Sequence, residues 1–182
     1  MTPKQIKILS LIIGIIAMIL LVVGTIAHGG SLIQKILFVI GAPILGITAF
    51  ANKQKMLTAL QLVATIGAII VFFPIISEIG KYLILVGASL IAIIYLIKSD
   101  YYKTDKYGLI GSIGLLFIAG GFATDATIHL VLFSILLGVG GLIVALYSWL
   151  NFVHYKTKIA LIWVVLNIIF SINPILNLLK LL

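Results

Sequence analysis

The chain has 182 residues, 63% of them hydrophobic and only 9% charged, with a net charge of +8. A soluble domain has about half its residues apolar and about a quarter charged, so this chain cannot cover itself with a polar surface and reads as an all-α integral membrane protein. Cysteine and arginine are absent and all 12 basic residues are lysine; this excludes disulfides, thiolate metal sites and bidentate guanidinium clamps, and the positive charge reads as loop decoration rather than as a nucleic-acid surface.

Seven apolar runs follow one another, each near the ~20 residues that a helix needs to cross a bilayer. The first, Ile6–Ala27, has Lys4 and Lys7 before and within its start but is longer than the core of a signal peptide, and it reads as a retained helix. Next come Ile33–Ala51, Met56–Ile76, Tyr82–Ile97, Tyr107–Ala123, Ile128–Leu150 and Lys158–Leu178. The separators "HGGS", "NKQK", "SEIGK", "KSDYYKTDK", "TDAT" and "NFVHYKT" hold turn formers or charge. None is long enough for a soluble domain, so function is expected among the helices.

Lysine sorts these runs by side. The side holding the N-terminus and the second, fourth and sixth separators carries nine lysines: Lys4, Lys7, Lys53, Lys55, Lys98, Lys103, Lys106, Lys156 and Lys158. The other side carries three: Lys35, Lys81 and Lys180. The positive-inside bias predicts a cytoplasmic N-terminus and an outside C-terminus in the cell membrane.

Internal similarity suggests a repeat. "FFPII" and "INPIL" end the third and seventh runs, with Pro74 and Pro174 100 residues apart. Gly14 and Gly24 in the first run match Gly111 and Gly121 in the fifth. In the second and sixth, "ILF" and "VLF" each precede a glycine, Gly46 and Gly141, eight residues after the Phe. Two three-helix units over 6–76 and 107–178 would point the same way only if an extra crossing joined them, and residues 82–97 supply it. The expected fold is therefore seven transmembrane helices in two parallel three-helix repeats with a linker helix, an arrangement in which transporters often bind substrate at the repeat interface.

This three-one-three plan, the chain's size and its proline-bearing helices resemble the SWEET-type sugar facilitators and the related nicotinamide riboside transporters. The segment "ALYSWLNFVHYKTKIALIWVVLNIIFSI", Ala145–Ile172, is similar to the last two core helices of the latter: an aromatic-rich helix, a short basic loop, then a helix with Trp and a polar residue one turn on. The resemblance implies a facilitator of a vitamin precursor, a nucleoside-like solute or a sugar.

Few residues could carry chemistry. Asp, Glu and Lys avoid the span centres, which argues against a proton-driven pump. His28, His129 and His154 lack partners at metal-ligand spacing, and no nucleophile elbow surrounds "GSIG"; an enzyme, a metal and a cofactor are not expected. Trp163, Asn167 and Phe170 fall at i, i+4 and i+7 on one helical face, with Ser171 beside it. An aromatic face with one carboxamide suits a flat or hydroxylated neutral solute, since the amide donates and accepts without charge. Tyr147 with Asn151, and Gln61 with Thr65, add polar pairs spaced by four. Each of these side chains has a competing role in clasping a neighbouring helix. Pro74 and Pro174 are candidate gate hinges or simple helix ends. Two functions follow: a facilitator of a small neutral or weakly charged solute, or a structural subunit of a membrane complex. A homo-oligomer is compatible with either.

Overall fold

The computed structural model describes residues 3–156 and 158–180, so Thr157 of the last separator lies outside it. The described residues form eight helices and no strand: α1 (Pro3–Ile26), α2 (Leu32–Ala51), α3 (Lys55–Ile70), α4 (Glu78–Lys98), α5 (Tyr101–Thr104), α6 (Gly108–Ala123), α7 (Leu130–Tyr155) and α8 (Lys158–Leu179). Five of them, α1, α2, α4, α7 and α8, are long and apolar enough to cross a membrane. The apolar α3 and α6 have 16 residues each, a length of about 24 Å against a hydrocarbon core of about 30 Å. The helix beyond the expected seven is α5, a single turn inside the separator "KSDYYKTDK".

The ends of these helices have local causes. Ser31 caps α2 by accepting from the Gln34 amide, and Ser77 caps α4 by accepting from the Gly80 amide. Glu78 in the first turn of α4 and Lys98 in its last complement the helix dipole. The third apolar run was expected to stay helical to Ile76, but α3 stops at Ile70. Pro74 has no N–H to give the Ile70 carbonyl, and its ring disfavours helical backbone at Phe73; Phe72 and Phe73 instead donate to Ile69 and Ile70 in tight turns. Pro174 lies inside α8, fully buried. The two prolines are therefore not a matched pair of kinks: one ends a helix, the other interrupts the hydrogen bonding within one.

Six helices close a ring in the order α1, α2, α3, α6, α7, α8, and α4 packs outside it on α3 and α6. Side-chain pairs give the directions. Asn52 donates to Ser10 at one end of α1 and α2, while Gln34 donates to the Gly24 carbonyl at the other, so these helices are antiparallel. Gly111 lies against Met56 and Gly67 against Ala119, so α3 and α6 run the same way. Gly14 against Trp163 and Asn173 bonded to the Thr25 carbonyl give α1 and α8 the same relation. A close, reciprocal crossing joins α6 to α7. A Cβ on Gly114 would stand 3.0 Å from the Gly140 carbonyl oxygen, and one on Gly140 would stand 3.0 Å from the Gly114 carbonyl oxygen. Only glycine at both places lets the backbones meet.

The outer surface is apolar. Ile12, Ile16, Ile19 and Val23 of α1, Leu83, Val86, Leu90 and Ile94 of α4, and Leu142, Leu146 and Val153 of α7 are all exposed. Such a face is unfavourable in water and matched to lipid. The polar side chains Gln34, Thr48, Gln61, Ser112, Ser134, Ser148 and Asn167 are buried instead.

Candidate functional site

The ring encloses a cavity of about 500 Å³, and all six of its helices line it. The lining starts at exposed Ile8 and Gln54, beside the N-terminal part of α1 and the α2–α3 turn, and ends at buried Leu21, Leu45, Ile118 and Phe170 near mid-bundle. The cavity thus opens at the end that carries the lysine-rich turns. Its wall is mostly apolar, with Ser10, Thr48, Asn52, Gln61, Tyr147, Ser148, Asn151 and Asn167 spaced around it. No lining residue is charged.

Most of the side chains singled out in the sequence meet here: Gln61 from α3, Tyr147 and Asn151 from α7, and Trp163, Asn167 and Phe170 from α8. Asn167 does not clasp a neighbouring helix. Its amide nitrogen donates 2.8 Å back to the Trp163 carbonyl, and its side-chain oxygen has no partner among the described residues. Asn151 likewise donates to the Tyr147 carbonyl, 3.0 Å away. Gln61 is only 7% exposed, and its Oε1 is buried without a hydrogen-bond partner among the described residues. An unpaired buried carboxamide of this kind costs about 1–3 kcal/mol.

Two solute-contact candidates and both candidate hinges fall elsewhere. Thr65 does not line the cavity, and its hydroxyl donates 2.7 Å to the Gln61 carbonyl. Ser171 is fully buried at the α7–α8 contact, where it fills the space over Gly141 and donates to the Asn167 carbonyl. Pro74 sits exposed in the α3–α4 turn, away from the cavity. Pro174 is one helical turn beyond Phe170, whose carbonyl it cannot serve.

Behind the wall, Tyr147 is held from outside the ring. Its hydroxyl donates 2.8 Å to Asp105 Oδ2, and the Tyr101 hydroxyl donates to the same oxygen. The Tyr107 amide donates to Asp105 Oδ1 at 2.9 Å. Burial, then the neighbouring Tyr147 and Asp105, push the Tyr101 hydroxyl well above the ordinary phenol range, so it stays neutral and acts as a donor. The sequence places Asp105 in an inner loop; α5 folds that loop back so that Asp105 reaches the wall's rear side.

Ser10, Thr48 and Asn52 were not anticipated. The signal was present: Thr48 and Asn52 stand at i and i+4 near the end of α2 as Tyr147 and Asn151 do toward the end of α7. Comparisons with protein-family models, with curated proteins and with solved structures return no match for this chain, so the reading of the site rests on its geometry.

Proposed function

We propose that this protein is a membrane facilitator that carries a small uncharged solute through the six-helix ring. In this reading α1 to α4 and α6 to α8 make seven crossings, with α1–α3 and α6–α8 as two like-facing units and α4 as their connector. The N-terminus is cytoplasmic and the C-terminus outside, in the cell membrane. Support for the repeat comes from the parallel contacts α3–α6 and α8–α1, which a twofold axis along the membrane normal would interchange, and from the placement of Gly14 and Gly111 at those two seams.

The observation that carries the function is the cavity itself: about 500 Å³, free of charged lining, with the side-chain oxygen of Gln61 unpaired behind its wall. Its volume is in the range of small-molecule sites. Absence of charge favours an uncharged passenger, because a desolvated ion would find no partner. Trp163 and Phe170 offer ring faces, while the Asn167 side-chain oxygen offers an acceptor and the Gln61 amide nitrogen a donor to a hydroxylated or nucleoside-like solute. A purely structural subunit would be expected to spend its polar groups on helix contacts; Asn151 and Asn167 turn back on their own helices instead.

Uptake of a panel of neutral solutes into proteoliposomes tests the proposal. Flux by the native protein, reduced at least tenfold in Gln61→Leu and Asn167→Leu, is the expected result. Absence of flux across the panel, together with stoichiometric co-purification of other subunits in mild detergent, would instead establish the structural role.

A further inference from the structure

The cavity stops at Phe170, and what lies beyond it differs from the open end. Phe170 meets the edge of Phe122 at 6.4 Å between centroids; Phe122 stacks on Phe38 at 4.3 Å, and Phe38 lies 6.5 Å from Phe133. These four buried rings come from α8, α6, α2 and α7, so both three-helix units contribute. Past the rings, Lys35 reaches Asp125 at 2.9 Å, with 21% and 16% of the two side chains exposed. Lys35 is three residues before Phe38 on α2, and Asp125 is three residues after Phe122. The ion pair therefore joins the same two strips of chain as the closest ring stack. The space among Gly30, Lys35, Phe38, Phe122 and Phe133 is about 10 Å³, room for no more than one water.

The turns over this end also interlock. Gly30 has a φ of +75°, and a Cβ there would run into Thr127. Asp125 is held from its own side: Oδ1 accepts from the Thr127 amide at 2.9 Å and from its hydroxyl at 2.6 Å, leaving Oδ2 for Lys35. Asn173 ties α8 to the Thr25 carbonyl of α1 at the same end. At the open end, by contrast, the side-chain hydrogen bonds of the cavity wall among the described residues do not join the two units: Asn52 bonds to Ser10, Asn151 to Tyr147 and Asn167 to Trp163, and Tyr147 bonds to Asp105 in the connecting segment.

We propose that Lys35 and Asp125 are the latch of the cavity's closed end. They hold the two three-helix units together over the phenylalanine plug, and the cavity reaches the opposite side of the membrane only when the pair parts. This inference rests on the facilitator reading, because a latch matters only where a path can open. Lys35 is the informative residue to change: Asp125 also shapes its own turn, whereas losing the ammonium leaves that turn's hydrogen bonds in place.

The chain has no cysteine, so a single Met18→Cys in the cavity wall reports access without interference. Proteoliposomes of known orientation are treated with a membrane-impermeant maleimide from each side. With Lys35 intact, labelling should be much faster from the open end than from the closed end. Lys35→Met should raise labelling from the closed end by about tenfold, the shift expected when one conformation loses a partly buried ion pair. Lys35→Arg, which keeps the pair, should label as Lys35 does. A closed-end labelling rate that is the same in all three overturns the latch. If Lys35→Met does not fold, Lys35→Gln read in the same way decides. The measurement needs no solute: two-sided labelling without flux would leave the latch standing and remove the transport reading, whereas flux with unchanged labelling would do the reverse.

Discussion

At the scale of residues, Gln61 separates binding from packing. A carboxamide that stabilised the bundle would lower the melting temperature when replaced. Gln61 Oε1 has no partner among the described residues, so Gln61→Leu should stabilise the solute-free protein by roughly 1–3 kcal/mol, while reducing the extra stability conferred by a transported solute. Thermal unfolding in detergent, with and without solute, checks both signs. Asp125 makes a second prediction. Its burial raises the carboxyl, but hydrogen bonds from Thr127 and the charge of Lys35 outweigh this and lower it below the usual value of 3.8. A lowered carboxyl contributes stability above its unfolded pKa and loses it as pH falls through the folded one. The stability gap between the native protein and Asp125→Asn should therefore be full at neutral pH and close on acidification below about 4. Polar residues inside apolar runs are visible in a sequence, and Gln61, Tyr147 and Asn167 were found that way, with Asn151 found by its spacing of four from Tyr147. Thr65 and Ser171 looked the same because a hydroxyl bonded to its own helix has the same spacing as one facing a cavity. Helix rotation separates them, and rotation is set by packing that local spacing does not encode.

At the scale of elements, the helices were legible because hydropathy and turn formers mark them directly. Their ends were less so. From Ile66 to Ile76 the run has no polar side chain, yet one missing N–H at Pro74 stops α3 six residues before its end. Pro174 has a similar sequence context and stays inside α8, where its ring is fully buried. If α8 bends at this point during transport, Pro174→Ala should slow flux with little change in solute binding, and unchanged flux removes the hinge. Glycines divide in the same way. Gly140→Ala should destabilise by about 1–3 kcal/mol, because its Cβ would lie within 3.0 Å of backbone on α6. Gly87→Ala should be neutral or stabilising by about 0.5–1 kcal/mol, since nothing stands within 4 Å. Paired unfolding curves distinguish them; equal effects would mean that the α6–α7 crossing is looser than described.

For the whole molecule, the sequence suggested two triplets and a connector but could not say which helices adjoin. Adjacency depends on small-residue contacts between distant segments, such as Gly67 with Ala119 and Gly14 with Trp163, and no local periodicity records those partners. The ring that results has an open, uncharged interior at one end and a plug at the other, and it leaves α4 outside on α3 and α6. The most direct test of the account is solute flux through that interior. Leu57→Trp, on the half-buried cavity wall, fills the space without touching the closed end. The account predicts flux by the native protein and at least a tenfold loss in Leu57→Trp, with an unfolding temperature close to native. Undiminished flux in a folded Leu57→Trp protein would contradict it.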